Sequence, residues 1–233
     1  MKIDFLKKWP VFGAGVILLS ATLQPALYAQ EKEKSASGPL VFLLNQRKKK
    51  DLAMAINNSK QLFYLMLEFD GDYGGFPSDQ TADEDKDLSG YKGKNSNDYL
   101  AQFIAAGYTR SEEIFYARGG SKAKKKPDND TTTKAKRLEA GECGFTYIKG
   151  LSTSNNSMLP LLVAPMTGKG VKFDPKPYNG KAIVLRVDGS VKTYNIDAKG
   201  DVILPNGKKL FEDGKDTPWG EKGFDAKMLM FPK

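Results

Sequence analysis

The chain has 233 residues, of which 40% are hydrophobic and 27% are charged, with a formal net charge of +8, a composition typical of a folded globular protein. It has no histidine and a single cysteine, Cys143, which excludes an internal disulfide, a Cys-X-X-Cys metal site and catalysis by histidine. No spacing of paired carboxylates indicates a hydrolase either. We therefore predict that the protein is not an enzyme, that it has no catalytic, cofactor-binding or metal-binding residues, and that Cys143 is a buried, inert thiol.

The first 29 residues have the three regions of a secretory signal peptide. Lysines open the segment, residues 11–19 are apolar or small, and Ala29 offers a small residue at the end. This pattern predicts export, with cleavage after Ala29. The alternative is an uncleaved membrane anchor formed by residues 11–29. Export without a disulfide is typical of a bacterial envelope protein, so we expect the periplasm or the cell surface.

A long helix is predicted next. Residues 30–51 should form a polar and basic N-terminal segment that includes the start of this helix, and residues 52–233 a globular domain. Gly38-Pro39 places proline at a first helical position, and residues 40–69 contain neither proline nor glycine. Apolar residues recur at helical steps, which predicts one buried stripe: Leu52, Ala55, Ile56, Phe63, Met66 and Leu67. Gly71 is the expected left-handed residue at the end of the helix.

The start of this helix allows two interpretations. Residues 40–44 are all apolar, and Arg47, Lys48, Lys49 and Lys50 follow them. One interpretation is a solvated basic collar beside a short packed turn. The other is a segment that contacts a partner or the surface of a membrane, because apolar and basic residues together favour anionic lipids.

The middle of the chain is predicted to contain loops and short helices. Carboxylates between residues 70 and 85 lack the ligand spacing of an EF-hand, which favours a solvated acidic loop over a calcium site. Residues 97–106 predict a helix that ends at Gly107, and Ser111 starts a shorter one. Residues 118–137 predict a mobile surface loop. Its lysines have no interleaved aromatic residues, so we expect no nucleic-acid binding.

The last third of the chain predicts strands. Residues 144–148 and 159–164 are candidates, and the prolines in and after the second one favour a sheet edge. Asp188-Gly189 predicts a tight hairpin between residues 182–187 and 190–196, with positive φ at both turn residues. A second hairpin is expected over residues 201–211, turning at Asn206-Gly207. The predicted class is α+β, with a long N-terminal helix on an antiparallel sheet, short helices and long loops.

Several segments resemble one protein family. The run from Asn57 to Leu62 followed by FDGDYGGFPSD resembles a motif of bacterial type IV pilin-like proteins, the pseudopilins. VLRVDGSVKTY is similar to their Asp-Gly hairpin, and YLAQFIAAGYTRSEEIFYA and AGECGFTYIKGLSTS resemble the verrucomicrobial branch. The similarity covers residues 53–233. It implies a pilin-like fold and a structural or accessory role in assembly or in type II secretion, with protein partners in the envelope or secretion machinery.

The chain departs from that family at its N-terminus. Pilins carry a short basic leader, a processing site, a glutamate and then about 20 apolar residues, whereas this chain has a Sec-like signal with no such glutamate. The departure favours a soluble head that keeps the pilin-like fold over a filament subunit. The alternative function is a periplasmic or surface module that binds a glycan, a peptide or a partner protein on the same fold.

Overall fold

A computed structural model describes residues 38–118 and 123–233. The predicted signal peptide and residues 30–37 lie outside the described residues, as do residues 119–122 of the predicted basic loop. The chain divides into two compact units, Met1–Leu44 and Asn45–Lys233. In the first unit, the described residues are helical from Pro39, and the apolar side chains of residues 40–44 are exposed. Among the helices of the described ranges, none combines the length and apolar character needed to cross a bilayer.

Three α-helices precede the strands within the described residues. They are α1 (Pro39–Tyr73), α2 (Asp79–Glu84) and α3 (Ser96–Ala105), with 3-10 turns at Glu113–Phe115 and Ala226–Met228. The prediction that Pro39 is the first helical residue is confirmed. The predicted end at Gly71 is wrong, because α1 continues through it and Gly74, with φ of +70°, follows the last helical residue.

The buried stripe of α1 is centred differently from the prediction. Ala55 and Met66 are buried as expected, together with Asn58, Ser59, Leu62 and Phe69. Leu52, Ile56 and Phe63 are partly buried against the same hydrophobic core, on the margins of the stripe. Leu67 is 41% exposed, so its placement on the buried stripe is wrong.

The predicted acidic loop is in part a capped helix. Ser78 Oγ accepts a hydrogen bond from Thr81 N at 3.1 Å, and Ser78 N donates to Thr81 Oγ1 at 2.9 Å. This reciprocal pair satisfies free amides of the first turn and starts α2 at Asp79. The next helix, α3, agrees with the prediction, since Asn95 caps its start and Gly107 follows its end with φ of +84°.

Six strands form one antiparallel sheet. They are β1 (Thr146–Ile148), β2 (Pro160–Ala164), β3 (Lys181–Arg186), β4 (Val191–Ile196), β5 (Val202–Ile203) and β6 (Leu229–Met230). Their order is β5-β4-β3-β2-β1-β6, and each neighbouring pair is antiparallel, which makes the fold α+β. The expectation that β2 is an edge is wrong, because β1 and β3 flank it. Pro160 is tolerated as its first residue, next to an irregularity in the pairing with β3.

The hairpin between β3 and β4 forms where the sequence predicts it, but with a different turn. Gly189 N donates to Arg186 O and Arg186 N donates to Ser190 O, each at 3.0 Å. Gly189 has φ of +77°, whereas Asp188 is not in the left-handed region, so the prediction of two positive φ values is wrong. The Asp188 carboxylate instead accepts a hydrogen bond from Ser190 N at 2.8 Å. The second hairpin is confirmed at Asn206-Gly207, where Leu204 N donates to Lys208 O at 2.8 Å.

The burial of the strands determines which part of the sheet is open. All five residues of β2 and five of the six in β3 are buried, whereas β4 has no fully buried residue. The buried side chains of α1 belong to the same core as β2 and β3. The strand β4 therefore offers side chains that can contact a ligand.

Candidate functional site

A cavity of about 610 Å³ lies beside β4. Its polar lining includes Arg186 at the end of β3 and Lys192 and Tyr194 on β4. Its apolar lining includes Leu204 and Pro205, which follow β5. The remaining walls come from residues 156–158, 206 and 216–218, so the cavity is assembled from four separate stretches of the chain.

Arg186 is the residue with the most unusual environment in this cavity. It is 8% exposed, and no carboxylate of the described residues lies within ion-pair distance of its guanidinium. Its Nη2 donates to Tyr194 Oη, its Nη1 lies 3.3 Å from Met158 Sδ, and its Nε has no hydrogen-bond partner. Buried arginines usually pair with an acid, so the cation lacks a partner that a ligand can supply.

Tyr194 holds the guanidinium in place. The carbon of the guanidinium lies 5.9 Å from the centroid of the Tyr194 ring, and the phenol oxygen accepts from Nη2. A ring face and a hydroxyl acceptor from one residue orient the cation without neutralising its charge. The position of Arg186 is thus fixed before any ligand arrives.

The wall formed by residues 216–218 is held by aromatic packing and by side-chain hydrogen bonds. Trp219 Nε1 donates to Leu210 O at 2.9 Å, and the Trp219 ring packs against Phe224 at a centroid distance of 4.6 Å. Asn206 Nδ2 donates to Asp216 O at 2.7 Å, and Asn156 Nδ2 donates to Pro218 O at 3.3 Å. These bonds cross-link the walls of the cavity.

The charge and polarity of the lining indicate the kind of ligand that fits. Arg186 and Lys192 are the cations of the lining and Asp216 is its one acid, which leaves one net positive charge. Guanidinium groups bind carboxylates through paired hydrogen bonds, and the apolar side chains can cover the body of the same ligand. This arrangement is suited to binding a carboxylate with an apolar group attached.

A second cavity, of about 600 Å³, is a weaker candidate. It lies between the end of α1 and residues 149–152, and its lining includes Asp79 and Lys149. These two groups pair with each other at 3.4 Å, and Tyr99 Oη donates to Asp79 Oδ1 at 2.8 Å. The lining also includes Asp225 and Lys227, so its two acids and two lysines leave no net charge.

The features that the sequence singled out do not form a common site. Cys143 is buried, and this burial raises the pKa of its thiol to about 11, so the prediction of a buried thiol is confirmed. The described part of the predicted loop, residues 118 and 123–137, is tied to the fold, which differs from the prediction of a mobile loop: Lys125 N donates to Gly141 O at 3.2 Å and Arg137 Nη1 donates to Tyr91 Oη at 2.7 Å.

Arg186 was missed at the sequence level. The available signal is a single charge inside the apolar run AIVLRV, at the end of a buried strand. A charge in that position needs a partner or a cavity.

Comparison of the chain with protein-family models, with curated proteins and with solved structures finds no match. The fold and the cavity are therefore the observations on which a function can be argued.

Proposed function

We propose that this protein is a non-enzymatic, pseudopilin-like structural or accessory protein of the bacterial cell envelope, related to components of type II secretion and type IV pili. The observation that supports this most is the combination of one long N-terminal helix, Pro39–Tyr73, with a six-stranded antiparallel sheet whose core it shares. In this proposal the fold is pilin-like and its partners are proteins of the envelope or the secretion machinery.

Two of the segments that carry the resemblance coincide with junctions of the fold. FDGDYGGFPSD contains the end of α1 and the cap of α2, and Asp70 Oδ1 accepts from Thr153 N at 3.3 Å. VLRVDGSVKTY contains the turn between β3 and β4.

Export is part of this proposal, with residues 1–29 as a cleaved signal peptide. N-terminal sequencing and intact mass of the protein from the cells that make it test this step. A mature form in the extracytoplasmic fraction that starts at Gln30 supports an exported soluble head. An intact N-terminus in the membrane fraction supports the anchor, and an intact chain in the cytosol contradicts the proposal.

Partner contacts can be tested on the open side of α1. Tyr64 is 68% exposed on that helix, so a photo-crosslinking residue at this position is available to a neighbouring subunit. We expect crosslinks to pilin-like or secretion components in intact cells. The control carries the photo-crosslinking residue in place of Lys222, which is also exposed. Equal products from both positions, or none from Tyr64, contradict an assembly role for α1.

A second candidate function is supported by the Arg186 cavity. In this alternative the protein is a periplasmic or surface module that binds a peptide through its terminal carboxylate. The unpaired guanidinium receives the carboxylate, and Leu204 and Pro205 contact the adjoining apolar side chain. Only the free acid supplies the missing negative charge.

The binding function is tested with acetyl-Ala-Ala-Phe as free acid and as C-terminal amide, by calorimetry or NMR titration. We expect the acid to bind at least tenfold more tightly than the amide. Arg186→Gln should remove this preference and Lys192→Gln, at an exposed position, should reduce it, whereas the Lys222→Gln control should keep it. Equal affinity for acid and amide in the unaltered protein would rule this function out.

A further inference from the structure

Three carboxylates from distant parts of one irregular connection meet between α3 and β1. One oxygen from each of Glu112, Asp128 and Glu142 lies within 4.8 Å of the other two. Glu112 and Glu142 are fully buried, and Asp128 is exposed. The cluster thus has a buried side and a side open to solvent.

The buried side carries an oxygen that has no partner. Glu112 Oε1 accepts a hydrogen bond from Leu138 N at 2.6 Å, but Glu112 Oε2 accepts none from the described residues. Glu142 Oε2 accepts from Glu139 N at 2.6 Å, which leaves its Oε1 with an ion pair to Lys125 Nζ at 3.0 Å. A carboxylate oxygen removed from water and left without a donor is costly, so its position calls for a ligand.

The nearby ammonium groups do not balance the acids. Lys125 Nζ pairs with Glu139 Oε2 and lies 3.3 Å from Asp128 Oδ2, and Lys136 Nζ lies 3.8 Å from Glu139 Oε1. Lys136 Nζ also lies 3.9 Å from Asp130 Oδ2, so with Glu139 five carboxylates face two ammonium groups and negative charge is left over. No lysine or arginine of the described ranges pairs with Glu112.

We propose that Glu112, Asp128 and Glu142 form a binding site for a single calcium ion. Oxygen ligands from carboxylates suit a hard divalent cation, and its positive charge offsets part of this negative excess. Three atoms within 4.8 Å of one another all lie within about 2.8 Å of a common point, so a small inward movement of the side chains brings them to the Ca–O distance of about 2.4 Å. Mg²⁺ has shorter bonds and a strict octahedral geometry, which carboxylates held on irregular backbone meet less well.

The ion has a structural role in this proposal. Between α3 and β1 the described chain contains a single 3-10 turn, and long-range polar contacts hold the rest: Glu112 N donates to Asn129 Oδ1 at 2.7 Å and Lys125 N to Gly141 O at 3.2 Å. Calcium joins residues 112, 128 and 142 at one point and fixes this connection. Lys125 keeps its ion pair with Glu139 when the ion is bound.

The test is thermal unfolding of the full chain after chelation, with and without calcium. We expect 5 mM CaCl₂ to raise the Tm by several degrees, because a ligand that binds only the folded state stabilises it, and MgCl₂ at the same concentration to raise it less. Calorimetry should give a stoichiometry of one. An unchanged Tm with calcium overturns the proposal, and a larger shift with magnesium overturns the assignment of the ion.

Three variants locate the effect. Glu112→Gln removes one anionic ligand but keeps an oxygen for Leu138 N, and Glu113→Gln changes the exposed neighbour as a control. We expect the calcium shift to disappear in the first variant and to persist in the second. Asp128→Asn, on the exposed side of the cluster, should weaken calcium binding at least tenfold even if Glu112→Gln does not fold. Full calcium shifts in Glu112→Gln or in Asp128→Asn place the ion elsewhere.

Discussion

The ring of Phe63 on α1 occupies the space that a side chain at Gly189 would need. A Cβ at Gly189 would lie 2.3 Å from Phe63 Cε1, well inside van der Waals contact. The turn between β3 and β4 therefore touches the helix at a residue without a side chain. This contact links a turn motif to the helix that precedes it by more than a hundred residues in the sequence.

Gly189→Ala should destabilise the protein through two effects. A left-handed backbone costs a residue with a Cβ about 1 to 2 kcal/mol, and the overlap with Phe63 adds about 1 to 3 kcal/mol. Gly207→Ala is the matched control, because Gly207 has φ of +80° but nothing within 4 Å of its Cβ position. Urea unfolding should show a larger loss for Gly189→Ala, and in a Phe63→Ala background the two losses should become similar. Equal losses in the unaltered background would contradict the contact.

Asn58→Ala should cost far more stability than Asn57→Ala. Asn58 Nδ2 donates to Glu113 O and to Tyr116 O, each at 2.8 Å, and so fastens the 3-10 turn to α1. Truncation removes both bonds and leaves Tyr116 O without a donor in the described chain, whereas Glu113 O still accepts from Tyr116 N. The expected cost is about 1 to 3 kcal/mol. Asn57 is exposed on the same helix, so its replacement should change the free energy of unfolding by less than about 0.5 kcal/mol. Similar values for the two variants would mean that the bonds to the turn contribute little.

Two buried tyrosines should respond differently to replacement by phenylalanine. Tyr147 Oη donates to Pro77 O at 2.8 Å, whereas Tyr178 Oη has no hydrogen-bond partner in the described part of the chain. At pH 7, Tyr147→Phe should lose about 1 kcal/mol, and Tyr178→Phe should be neutral or stabilising. Chemical denaturation at pH 7 measures both values, and a clear loss for Tyr178→Phe would contradict the absence of a partner.

Alkaline pH should destabilise the protein through the same residues. Burial raises the pKa of Tyr178 above its ordinary value of 10.0, so above pH 10 the unfolded chain loses the proton while the folded chain keeps it. Stability therefore falls as pH rises beyond 10, by about 1.4 kcal/mol per pH unit for each such group. Tyr178→Phe should flatten this decline between pH 10 and 11. Parallel stability curves for the variant and the unaltered protein would show that the phenol does not titrate in this way.

The carboxylate of Asp201 should contribute stability that is lost in acid. Burial raises its pKa, but Lys172 and Lys209, with Nζ at 2.7 Å and 2.9 Å from its two oxygens, outweigh this and lower the pKa below 3.8. The contribution is therefore present above about pH 4 and is lost as pH falls through the lowered pKa. Asp201→Asn should be less stable than the unaltered protein at pH 7, and the difference should shrink as pH falls below 4. Asp87→Asn, at an exposed carboxylate, should show no such difference. A constant gap for Asp201→Asn from pH 7 to pH 2 would contradict the ion pairs.

Local sequence patterns predicted the helices and turns better than the order of the strands in the sheet. Proline at the start of α1 and glycine in the hairpins act within a few residues, so the sequence predicted these positions closely. The interior position of β2 depends on β1, which in turn pairs with β6 near the end of the chain. No local pattern contains that information, and the prolines around β2 pointed to an edge.

Neither the cavity nor the acid cluster could be predicted from the sequence, for a similar reason. Arg186 gains its environment from residues 156–158, 204–206 and 216–218, which only the folded hairpins bring together. Glu112, Asp128 and Glu142 are separated along an irregular connection with no periodic pattern. The reciprocal cap of Ser78 and Thr81 is different, because it depends only on two hydroxyl residues three positions apart, which the sequence contains.

The two outer strands of the sheet, β5 and β6, are each two residues long. A strand of another molecule could form only a few backbone hydrogen bonds with either edge strand. Edge-to-edge aggregation through the backbone is therefore disfavoured. At these two borders of the described sheet, contacts with another copy would therefore depend on the shape and charge of side chains.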